Sequence, residues 1–187
     1  MTKTITLYSA QSLAVSDRLR REGEIYSKER FVKAKYQESA IIFQTVYGWF
    51  VRQLPRYVKK PASAEYPYWG FVDRYSVEAG GDSSLLILEV PLEEVVLFDL
   101  YDWVKLMRLE YLGETEAEEI RFRQKIKDYG IRHSSDIMTG SFYPDLKREI
   151  EDSWQRLFRH NDALKAGDHS GVRGIQAGLW RLKKDWL

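Results

Sequence analysis

The sequence predicts an α+β protein: a mixed, mostly antiparallel sheet with packed helices, in a single domain spanning residues 1–187. Three observations carry this reading. Apolar segments of strand length stand near both ends and in the middle of the chain, at Ile5–Leu7, Leu85–Phe98 and Ile175–Leu182. Two stretches, Phe43 to Tyr57 and Leu146 to Phe158, repeat apolar residues every three or four positions and so bury a helical face. A Gly80-Gly81-Asp82 turn joins the aromatic segment Tyr66–Val77 to the middle strand, which favours an antiparallel pair.

In chain order, Thr4 to Ala10 alternates Ile5 and Leu7 and reads as a strand, with Gln11 and Ser12 at its end. Ser12 is placed to cap a helix from Leu13 to Glu22, with Val15 and Leu19 four apart, and Gly23 to end it. Ser27 to Lys35 is polar and basic and reads as a loop. Ala40 to Val58 is the strongest helix, and Pro55 should end or kink it. Lys59, Lys60 and Pro61 open a loop. Tyr66 to Val77 reads as a strand, with Pro67 at its edge or start.

Leu85 to Val90 reads as a buried strand at the centre of the fold. Pro91 interrupts it, Glu93 and Glu94 form an acidic step, and Val95 to Phe98 resume the apolar run. Asp99 then caps a helix that carries Asp102 near its positive end, followed by Trp103 and Met107. Glu114 to Tyr129 is a surface helix, opened by a Thr115-x-x-Glu118 capping box, acidic first and basic later. Arg132 to Phe142 shows no period and reads as a loop. Pro144 opens the helix through Phe158, the segment from His160 to Gly174 reads as polar and mobile, and Ile175 to Leu182 is the last strand.

Composition narrows the function classes. Lys plus Arg is 29 against 28 for Asp plus Glu, which argues against an extended non-specific nucleic-acid surface. The chain has no cysteine, which excludes disulfides, thiolate nucleophiles and Cys-based metal sites. No apolar run reaches the roughly 18 residues of a membrane span, and Met1–Leu7 lacks the apolar core of a signal peptide. No membrane association and a cytoplasmic location are the expectation. Aromatic residues make up 14%, with six Trp and twelve Tyr. Such rings fill a core, or line a pocket that stacks on a planar ligand.

Familiar chemical motifs are missing. There is no Walker loop, no GxGxxG and no GxSxG elbow. His133, His160 and His169 lack ligand spacing, so no metal is expected from them. Asp99 and Asp102 could form a Mg²⁺ pair, although helix capping accounts for both.

Five segments together carry a resemblance. They are Leu7–Gln11; Tyr47-Gly48-Trp49 with Arg52-Gln53; Tyr66–Phe71; Leu97–Trp103; and Asp152–Phe158 with Ile175–Leu182. In order and spacing they resemble a bacterial family catalogued as domain of unknown function 3841. That family usually has His where this chain has Val104, and often Glu where it has Arg181.

A second likeness is architectural. The opening strand, short helix and glycine, the aromatic strand, and the segment Leu88–Asp99 look like the layout of ADP-ribosyltransferase-type domains. This likeness implies NAD as a cofactor, with Gln176 and Gln11 as catalytic residues. Gln11, Tyr68, Trp69 and Arg74 would bind the cofactor, and a protein or nucleic acid would accept ADP-ribose. A stacked ring and amide hydrogen bonds would hold nicotinamide while a late-strand polar group orients the ribose. The alternative is a non-catalytic module that binds a nucleotide, a nucleic acid or a protein, such as a defence- or phage-associated accessory factor. Arg52, Arg56, Lys59, Lys60 and Arg74 would then contact phosphate.

Overall fold

The fold is known from a computed structural model, which describes residues 3–30, 32 and 40–187. It is α+β. Five strands form one sheet in the order β4-β1-β3-β6-β5: β1 (Thr4–Ser12), β3 (Tyr68–Phe71), β4 (Ser83–Pro91), β5 (Val95–Asp99) and β6 (Ile175–Leu179). Every pairing in it is antiparallel. A separate ribbon pairs β2 (Glu24–Tyr26) with β7 (Arg181–Lys183).

The opening unit forms as its residues dictate. The Ser12 hydroxyl accepts from the Val15 amide and starts α1 (Leu13–Glu22), and Gly23 ends it at φ 80°. The long helix α2 starts at Ala40–Ile42, widens into a π-helical turn at Phe43–Tyr47, and resumes at Gly48–Gln53. Pro55 stops it in a 3-10 turn, Leu54–Arg56. The loop expected from Ser27 to Lys35 falls partly outside the described residues.

Helix α3 (Leu100–Met107) is capped as expected, with Asp99 Oδ1 accepting from the Tyr101 amide at 3.0 Å. Helix α4 (Glu116–Asp128) starts at the Thr115 hydroxyl, which accepts from the Glu118 amide at 3.2 Å. The Glu118 carboxylate reaches back to the Glu114 amide at 3.0 Å, one residue earlier than in a standard capping box. Helix α6 (Pro144–Ser153) runs on into a 3-10 turn, Trp154–Phe158.

Several expectations are corrected. The aromatic strand stops at Phe71, because the Asp73 side chain caps a 3-10 turn at Arg74–Ser76. β4 pairs with β1 over nine positions, not with the aromatic segment, and it lies at the sheet edge. Its run is not buried on both faces: Leu86, Leu88 and Val90 point inward while Ile87 is 52% exposed. The loop expected at Arg132–Phe142 contains helix α5 (Ser134–Thr139), whose buried residues Ile137 and Met138 are adjacent and give no legible period. The polar segment after His160 contains helix α7 (Asn161–Lys165). The last strand divides at Trp180, with β6 in the main sheet and β7 in the ribbon.

Two cores flank the sheet. On one face, α2, α3, α4 and α6 bury Phe50, Phe98, Trp103, Trp154 and Leu157. On the other, α1, α7 and the C-terminal turn enclose Leu7, Leu19, Leu88, Leu97 and Leu179. α2 can lie close to the sheet because β6 carries Gly178. A Cβ there would stand 2.8 Å from Phe50 Cζ.

Candidate ligand site at the pairing of β3 and β6

Strand register decides which predicted residues meet. Tyr8 on β1 pairs with Phe71 on β3, Phe71 pairs with Gln176 on β6, and Gln176 pairs with Phe98 on β5. Ile87 on β4 completes this row opposite Tyr8. Directly paired residues share a face, so these five side chains stand on one side of the sheet. Trp69, two residues before Phe71, joins them.

Gln11 and Tyr68 do not. Gln11 lies three residues beyond Tyr8, and Tyr68 three before Phe71. An odd offset turns each to the opposite face and shifts it about 10 Å along the strand. The structure therefore separates the expected set, with Trp69 and Gln176 on one face and Gln11 and Tyr68 on the other. Gln11 Nε2 donates to Ser9 Oγ at 2.9 Å, and the Ser9 hydroxyl donates to the Trp69 carbonyl at 2.7 Å. Tyr68 is buried with Leu19 and Leu179, and burial pushes its phenol up to about 12. Arg74 is exposed in the turn beyond Phe71, and its Nη1 donates to the Val77 carbonyl at 3.3 Å.

Gln176 is 3% exposed, and its side-chain Oε1 has no hydrogen-bond partner. Burying such an acceptor unsatisfied costs about 1–3 kcal/mol. Around it the row grades from exposed Ile87 through half-buried Tyr8 and Phe71 to buried Phe98. Trp69 is half-buried, with its ring 5.0 Å from Phe50 and 4.9 Å from Trp103. Its indole N–H donates to the Tyr47 hydroxyl at 3.1 Å, so the one donor of the indole is already used. Tyr47 comes from the π-helical turn of α2, a distortion that recurs at functional sites.

A model of the family described as "Domain of unknown function (DUF3841)" matches residues 6–187. The chain belongs to the DUF3841 family. Nothing among the curated proteins or the solved structures matches it. The family's characteristic segments fall into place in the fold. Tyr47 and Trp69 meet through their hydrogen bond, and Leu97–Trp103 supplies β5, the Asp99 cap and the Trp103 anchor. In Asp152–Phe158, Trp154 Nε1 donates to the Glu110 carbonyl at 2.8 Å, and Arg156 binds the Leu112 carbonyl and the Tyr111 hydroxyl. This segment thereby pins the turn between α3 and α4.

The two departures from the family pattern also have structural accounts. Arg181 pairs with Glu94 and, at 2.8 Å, with Glu24, which ties the β2–β7 ribbon to the turn before β5. Val104 lies half-buried on α3. Asp102 is 4% exposed and meets Arg159 Nη2 at 3.0 Å. Burial raises its carboxyl above the ordinary range, against the pull of Arg159. No group of three or more His, Cys, Asp or Glu among the described residues could hold a metal. No helix among them is long and apolar enough to cross a membrane.

The basic residues expected to serve phosphate are spread out. Arg56 bonds Gln53 and Gln155, Lys60 lies over the Trp180 ring, and Arg74 stands at the other end of β3. Sequence reading missed Phe71 as the partner of Gln176 and Tyr47 as the partner of Trp69, because only the β3–β6 register and the π-turn bring these pairs together.

Proposed function

We propose that this DUF3841 protein is a binding module for a small ligand with a planar ring bearing an amide or amino N–H, such as nicotinamide or a nucleobase. One observation carries the reading: the partnerless Oε1 of Gln176, buried on the same face as Trp69. A ring N–H donating to that oxygen would restore its hydrogen bond, and the aromatic row gives the ring an apolar bed. Entry would run along the row from Ile87 and Tyr8. NAD and adenine nucleotides carry such groups. Transfer of ADP-ribose to a macromolecular acceptor is not part of the proposal, because Gln11 stands on the other face of the sheet.

The test is calorimetry together with tryptophan fluorescence, titrating nicotinamide, adenosine and NAD⁺ into wild type and Gln176→Leu. At least one ligand should bind wild type and quench fluorescence, with binding lost in a folded Gln176→Leu protein. Absence of heat and quenching with all three would sink the reading, as would equal binding by the variant. A parallel assay with labelled NAD⁺ reads any transfer to protein or nucleic acid.

A further inference from the structure

A cavity of about 200 Å³ opens between the end of α3, the inner side of α4 and the start of α5. Arg108, Arg123 and Arg132 line it together with His133, Ser134 and Ser135. Neighbouring cations on these helices are paired: Lys105 with Glu119, Lys125 with Glu149, Arg156 with Glu114 and Glu118, Arg159 with Asp102. Among the described residues, the three cavity arginines have no ion pair and no side-chain hydrogen bond.

Two carboxylates also border the cavity, Glu110 and Glu119. Glu119 is already engaged, accepting from Lys105 Nζ at 2.6 Å and from the Gly113 amide at 3.2 Å. Three guanidinium groups therefore face one uncommitted carboxylate.

Backbone geometry at the rim is a separate observation. Leu109 is the single non-glycine residue with positive φ among the described residues, at 60°. It occupies the position after α3 where glycine is usual, with the Glu110 amide bonding back to the Lys105 carbonyl at 3.0 Å. This left-handed turn is unfavourable for a non-glycine residue. It reverses the chain so that Arg108 and Glu110 both border the cavity. Strain of this kind persists where surrounding structure imposes it, and it clusters at ligand clamps.

We infer that this cavity is a binding site for the phosphate group of a small molecule, held by Arg108, Arg123 and Arg132. The guanidinium fork matches phosphate oxygens in geometry and carries its charge at every physiological pH. Three forks with two serine hydroxyls offer more donors than a carboxylate can accept, and a tetrahedral dianion can use them. The cavity's size suits one phosphate group rather than a polymer backbone. This site is independent of Gln176.

Calorimetry at constant ionic strength tests it, titrating inorganic phosphate and, separately, phenyl phosphate into wild type, Arg123→Gln and Arg132→Gln. The three arginines are exposed, so the variants should keep the wild-type Tm without ligand. Wild type should bind, and each substitution should weaken binding about tenfold, the loss of one charged hydrogen bond. Tighter binding of phenyl phosphate would assign the site to a monoester, and preference for inorganic phosphate to the free ion. No binding, or equal binding by the variants, would overturn the inference.

Discussion

The side-chain carbonyl of Asn161 accepts a hydrogen bond from the backbone amide of Leu97 at 3.0 Å, with both groups buried. β5 pairs only with β6, so its outer edge would otherwise leave that amide unpaired. Helix α7 closes the sheet edge with one side chain. Asn161→Ala should destabilise the protein by about 1–3 kcal/mol, read from urea unfolding, because the Leu97 amide would lose its partner. Unchanged stability would show that the edge is protected in another way.

Gly178 is where α2 rests on the sheet. Gly178→Ala would put a methyl 2.8 Å from Phe50 Cζ and 3.4 Å from Val96 Cγ1. Phe50 is fully buried among Trp69, Phe98 and Trp103 and has no room to yield. A loss of about 1–3 kcal/mol is expected in thermal or urea unfolding.

The Asp102–Arg159 pair makes stability depend on pH in a defined direction. Burial raises the Asp102 carboxyl above its ordinary value of 3.8, so the native state binds this proton more tightly than the unfolded chain. The contribution is therefore fully present below 3.8 and is lost as pH rises through the folded value. Asp102→Asn should gain stability relative to wild type between pH 3.5 and pH 7. Arg159→Ala leaves the carboxylate without its partner. It should cost about 2–3 kcal/mol at pH 7, less than a fully buried pair since Arg159 is partly exposed, and visibly less near pH 4. Urea unfolding at both pH values decides.

Tyr68 supplies an alkaline counterpart. Its phenol is pushed from 10.0 to about 12 by burial. Its contribution is complete below pH 10 and is lost as pH rises toward 12. Tyr68→Phe should flatten the fall in stability over that window by on the order of 2 kcal/mol, followed by circular dichroism.

Gln11 separates the transferase expectation from the proposed binding site. Gln11→Ala should leave binding of any ligand of the Gln176 site within about twofold, since the two amides lie on opposite faces. A loss as large as that of Gln176→Leu, measured in the same titration, would restore Gln11 to the site.

Local chemistry was legible in the sequence. The Ser12, Asp99 and Thr115 caps, the stop at Pro55, the glycine after α1 and the amphipathic period of α2 all depend on residues within a few positions of one another. The split of the last strand at Trp180 and the short helices α5 and α7 were not legible. Their buried residues are too few or too close in sequence to set a period, and they are ordered by what they dock against.

The sequence by itself determined the α+β class, the antiparallel character of the sheet, membership of the DUF3841 family and the identity of the polar candidates. Tertiary structure alone decided that β4 is an edge strand, that Asn161 covers β5, and that Asp102 meets Arg159. It also decided that Gln176 shares a face of the sheet with Trp69 while Gln11 takes the other. The reason is the two-residue period of a strand: which face a side chain takes depends on register with distant strands, and a shift of one residue reverses it.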